Sequence, residues 1–142
     1  NKFDLILIKQ TIHLLSIKEI NQLLDLSKKN LTPNGKIFIF SLDTFKNEIP
    51  SFRLMKNKLS KSLKRDKKLL KLIVKSNSQT TRKNFFFDVK ITKKKYLNMI
   101  QKRYLSTLLS FSKKELTKGL KELDLKYKKE IIFRDKLICL IL

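Results

Sequence analysis

The chain has 142 residues, with 34 Lys+Arg against 12 Asp+Glu and a formal net charge of +22. Its hydrophobic content of 42% is enough to bury a core, which excludes a disordered basic tail. One cysteine and one histidine exclude a disulfide framework and a multi-histidine or cysteine-based metal site.

A charge of this size points to nucleic acid or an anionic membrane surface. It also has a compositional origin. The chain lacks Ala and Trp and is swollen in Lys, Ile, Asn, Phe and Leu, the mark of an AT-rich coding sequence. No window of about 18 apolar residues is present, so no transmembrane helix is expected. The chain begins Asn1-Lys2-Phe3 without a basic-then-apolar leader. That is expected of a processed start, or of the downstream part of something longer.

In chain order, Phe3 to Ile8 is a continuous apolar run, expected as a strand buried on both faces. Ser16-Ile17-Lys18-Glu19 is a capping box, in which the serine and glutamate side chains each take a free backbone N–H. Behind it Ile17, Ile20, Leu23 and Leu24 recur at helical spacing, predicting a helix to Lys29. Asn30 to Gly35 reads as a turn, with Pro33 pre-setting φ and Asn34 and Gly35 tolerating positive φ. Lys36 to Phe40 reads as a strand. Strand, helix, turn and strand make a βαβ unit with parallel strands.

Pro50 suits the first turn of a further helix. Leu59, Leu63, Leu70 and Val74 form its stripe, with lysines around them. Ser76 to Asn84 is loop-like, and Phe85 to Ile91 is a short strand. From Lys93 to Ser110 a helix is expected, with Tyr96, Ile100, Arg103, Tyr104 and Thr107 on one face. A second capping box, Ser112-Lys113-Lys114-Glu115, opens a helix carrying Leu116, Leu120 and Leu123. Two apolar runs flank Arg134-Asp135 at the end and predict an antiparallel hairpin, though without the favoured turn glycine.

The stretch Phe3-Asp4-Leu5-Ile6-Leu7-Ile8-Lys9-Gln10-Thr11-Ile12-His13-Leu14-Leu15, followed by Leu31-Thr32-Pro33-Asn34-Gly35-Lys36-Ile37-Phe38-Ile39, resembles class I S-adenosylmethionine-dependent methyltransferases. It looks like their fourth strand, the helix after it, the Leu-x-Pro-x-Gly turn and the fifth strand. The terminal helix and hairpin resemble the family's last helix and its antiparallel sixth and seventh strands. The resemblance implies an α/β fold, the C-terminal half of a Rossmann-like sheet. Residues 1–41 would be its βαβ unit, 42–110 a largely helical substrate-covering insertion, and 111–142 the closing helix and hairpin. The family's glycine-rich cofactor loop has no counterpart, since no glycine precedes Gly35. About three βα units of roughly 30 residues each would lie upstream. Such a fragment is expected to be inactive alone, and its half-sheet would leave the first strand with an unpaired edge.

Ligands of open α/β sheets sit beyond the carboxyl ends of the parallel strands. The resemblance therefore places Ile8, Lys9 and Gln10 beside the methionine end of S-adenosylmethionine; the plain alternative is an ordinary strand exit. It places His13 at the family's histidine position, as a catalytic base that orients or deprotonates the acceptor. The alternative is a packed core histidine. Tyr96, Arg103 and Tyr104 would close over the substrate, with Arg103 pairing a carboxylate or phosphate; otherwise the aromatics pack inward and Arg103 reaches solvent. The implied activity is methyl transfer to a small-molecule acceptor, in the cytoplasm, with no metal and no membrane partner. Competing with it is a basic module that binds RNA or DNA phosphates, or a methyltransferase acting on RNA or a ribosomal target. Oligomeric state is left open by the sequence.

Overall fold

The computed structural model describes residues 2–142. The first elements are β1 (Phe3–Lys9), α1 (Ile17–Lys29) and β2 (Leu31–Leu42). Ser16 caps α1 as its spacing requires. Its hydroxyl accepts from Glu19 N at 3.3 Å, and Glu19 Oε2 accepts from Ser16 N at 2.7 Å. This reciprocal bond serves two backbone donors that the first turn leaves without helical partners. β1 and β2 pair in parallel, Leu7 opposite Phe38 and Ile8 opposite Ile39. The expected βαβ connection is present.

After α2 (Arg53–Ser76) come β3 (Thr81–Thr92), α3 (Lys93–Gln101), α4 (Lys113–Lys126) and β4 (Glu130–Ile141). The four strands form one mixed, open sheet in the order β1-β2-β4-β3, with β4 antiparallel to β2. Among the described residues the protein is thus α/β, with a four-stranded sheet and four α-helices.

Several expectations change. The Leu-x-Pro-x-Gly stretch lies inside β2 and is not a turn before it. Phe3 pairs with Leu31 but Leu5 with Lys36, so residues 32–35 form an irregularity in the ladder. Neither Asn34 nor Gly35 adopts positive φ. The glycine is needed for closeness: a Cβ at position 35 would stand 2.8 Å from the Phe3 carbonyl oxygen. The terminal hairpin is also absent, because β4 runs unbroken through Arg134-Asp135. Arg134 Nε instead reaches Asp88 Oδ1 of β3 at 2.7 Å, so the polar pair belongs to a strand surface. The helix expected to reach Ser110 stops at Gln101. Arg103 there has φ of 56°.

The described chain divides into two compact units, one of residues 2–47, Leu63–Phe86 and Lys136–Leu142, the other of Glu48–Ser62 and Phe87–Asp135. In the first, Ile8, Ile37, Ile39, Ile138 and Leu140 share one sheet face and pack with Ile20 and Leu24 of α1 and Leu69, Leu70 and Ile73 of α2. The opposite face is not so covered at β1. Leu5 and Leu7 are 53% and 56% exposed, which corrects the expectation of burial on both faces. In the second unit Phe52, Met55, Tyr96, Ile100, Leu108, Leu116 and Leu123 form a separate core. There Glu122 Oε1 accepts from Arg53 N at 2.6 Å, so a carboxylate of α4 serves the N-terminus of α2.

Candidate functional site

The carboxyl end of β1 is built by the first unit alone. Ile8 is buried and fastens the strand end, while Lys9 points into solvent. Gln10 then turns the chain with φ of 56°, a backbone region that residues with a Cβ seldom occupy. Its N–H still donates to Phe40 O at 2.9 Å, so the turn begins directly off the ladder. A short helical turn, Ile12–Leu14, follows; buried Ile12 anchors it and His13 is left half-exposed beside it.

α2 locks this turn in place. Arg65 Nη1 donates to His13 O at 2.8 Å and Nη2 to Leu15 O at 2.9 Å. The planar fork of an arginine suits two such acceptors, which an ammonium would not match. The next residue, Asp66, is 6% exposed, and its Oδ1 is buried without a hydrogen-bond partner. Burial raises the Asp66 carboxyl above the usual carboxylate range, while the charges of His13 and Arg65 pull it back. The first unit thus holds a buried, under-satisfied carboxyl within electrostatic reach of the His13 imidazole.

Asp66 was not singled out from the sequence, although a signal is there. Leu59, Leu63, Leu70 and Ile73 are buried along α2, and Asp66 occupies the one step of that stripe where the apolar series breaks. A charged residue on a buried stripe marks a site more sharply than the lysines around it.

Tyr96, Arg103 and Tyr104 lie in the second unit. Tyr96 is 1% exposed, its hydroxyl donates to Pro50 O at 2.6 Å, and it lies 3.3 Å from the Tyr104 hydroxyl. Its ring also packs edge-on against Phe133, and burial raises its phenol pKa. Arg103 Nη1 donates to Leu108 O within the same loop. The two tyrosines are brought together, and the arginine closes its own loop. Asp43 caps a turn, its Oδ1 accepting from Phe45 N at 2.7 Å. Cys139 is buried, and desolvation raises its thiol pKa.

No described helix is long and apolar enough to cross a membrane. Compared with known proteins, the chain matches no family model and no curated sequence.

Proposed function

We propose that the chain is the C-terminal half of a class I S-adenosylmethionine-dependent methyltransferase acting on a small molecule. The observation that carries this reading is the strand order β1-β2-β4-β3, a parallel pair followed by an inserted antiparallel strand. The resemblance puts the family's fourth and fifth strands at β1 and β2 and an antiparallel closing strand after them, the place that β4 takes. In this reading β3 takes the place of the sixth strand, in a position that the expected terminal hairpin did not foresee.

The chain's own residues do not make a cofactor site. Its two glycines are Gly35, inside β2, and Gly119, inside α4. Neither stands in a loop after a strand, where a close backbone approach to a ligand would call for one. The reading therefore assigns the cofactor cradle to upstream sequence, with Ile8, Lys9 and Gln10 at its edge. His13 would take the acceptor's proton, with Asp66 stabilising the imidazolium and Arg65 fixing the turn that carries it. Tyr96, Arg103 and Tyr104 keep their proposed substrate role only if the Tyr96 hydroxyl can leave Pro50.

Determining the coding sequence upstream of Asn1 tests the proposal. An apolar strand running into an acidic-x-Gly-x-Gly loop within about 100 residues, the span of three βα units, is expected. Its absence overturns the reading. The nucleic-acid alternative draws on α4, where Lys113, Lys114, Lys118 and Lys121 line one exposed face. RNA binding that falls steeply with salt, and weakens when these four lysines are replaced, would favour it.

A further inference from the structure

The first unit contains a cleft of about 370 Å³, within the range of roughly 300–1,000 Å³ typical of small-molecule sites. Leu70, Ile138 and Leu140 are buried at its base, and the exposed side chains of Phe45 and Val74 also line it. Around these apolar groups stand Lys67, Lys71 and Lys75, spaced by four along α2, and Arg82 from β3. No acidic residue lines the cleft. None of the four cations forms an ion pair among the described residues. Lys67 instead lies over the Phe45 ring, 3.8 Å from its centroid.

Like charges four apart on a helix repel, so Lys67, Lys71 and Lys75 destabilise α2 when no anion is near. A second cationic element converging on the same apolar slot adds to that repulsion. We infer that the cleft binds a small amphiphilic anion, an apolar chain or ring carrying one carboxylate or phosphate. The apolar part would lie against Phe45, Val74 and Leu70, and the anionic head would meet Lys71, Lys75 and Arg82. This site is separate from His13 and Asp66 and stands independently of the methyltransferase reading. The ligand is taken to be a dissolved molecule, because the slot has the volume of a pocket and not of a flat surface.

Calorimetric titration of the chain with dissolved decyl phosphate, kept below its micelle concentration, tests the inference. Saturable binding is expected, about tenfold or more tighter than that of inorganic phosphate or decanol. Lys71→Glu/Arg82→Glu should weaken it by about tenfold or more, and Val74→Asp should weaken it as well. Lys71, Arg82 and Val74 are all exposed, so the variants should retain the far-UV circular dichroism of the parent. Lys114→Glu/Lys118→Glu, with the same change in net charge on α4, should leave binding unaltered. The inference is overturned if inorganic phosphate binds as tightly as decyl phosphate, or if the α4 variant loses as much affinity. It is equally overturned if phosphatidic acid vesicles bind while dissolved decyl phosphate does not.

Discussion

Gly119→Ala offers a sharp check on the packing of the second unit. A methyl group at this position of α4 would lie 2.6–2.7 Å from three carbons of the Phe52 ring, well inside van der Waals contact. Phe52 is 1% exposed and already packs on Phe111, with ring centroids 5.4 Å apart, so the ring has little room to retreat. Two effects oppose each other. Replacing a mid-helix glycine by alanine stabilises a helix by about 1 kcal/mol, while overpacking a tight core costs about 1–3 kcal/mol. The clash involves three ring atoms at once, so the upper part of that range applies and a net loss of about 1 kcal/mol is expected. Urea unfolding would show it as a lower midpoint at unchanged slope. Phe52→Ala removes all three clashing carbons, Cγ, Cδ1 and Cδ2, and in that background Gly119→Ala should become neutral or stabilising. The two changes should be coupled by about 0.5–3 kcal/mol. A full helix-propensity gain in the parent chain, or strict additivity of the two changes, would refute the argument.

Two further outcomes follow from buried polar groups. The Asp66 carboxyl is raised by burial, so the folded chain holds that proton more tightly than the unfolded chain does. Its contribution to stability is complete below the unfolded pKa of about 3.9 and is lost as pH rises through the folded value. Asp66→Asn should therefore gain stability relative to the parent as pH rises above about 3.9. Urea midpoints whose difference stays flat over that rise would contradict it. Tyr96→Phe removes the donor to the Pro50 carbonyl at 2.6 Å. Leaving that buried acceptor unserved should cost about 1–3 kcal/mol, and an unchanged thermal midpoint would show the bond to be dispensable.

Local signals in the sequence are legible where they are self-contained. The Ser16 and Ser112 boxes are satisfied within four residues, and both helices begin where those boxes place them. The parallel pairing of β1 and β2 followed from the length of the helix between them. What failed depended on partners distant in sequence. Arg134-Asp135 has the polarity of a turn, but Asp88, 46 residues away, gives Arg134 a cross-strand partner and lets β4 continue. Likewise, the apolar run of β1 gives no indication of which face α1 and α2 cover, because that depends on how the whole sheet packs. At the site, His13 was visible as the lone histidine. Asp66 was hidden by a run of cations whose side chains point elsewhere.

The open row of Phe3, Leu5 and Leu7 sits on a strand with a free edge. Such an edge is a template for pairing with another chain. A net charge of +22 keeps two copies apart only over the distance that salt allows. That distance is about 10 Å at 0.1 M and about 3 Å at 1 M ionic strength. In dilute buffer the lysines repel copies before the strands can meet. In concentrated salt the repulsion shrinks to contact range and the apolar row is left to act. The positive charge, whatever its origin, thus works as a colloidal stabiliser for an exposed apolar strand edge.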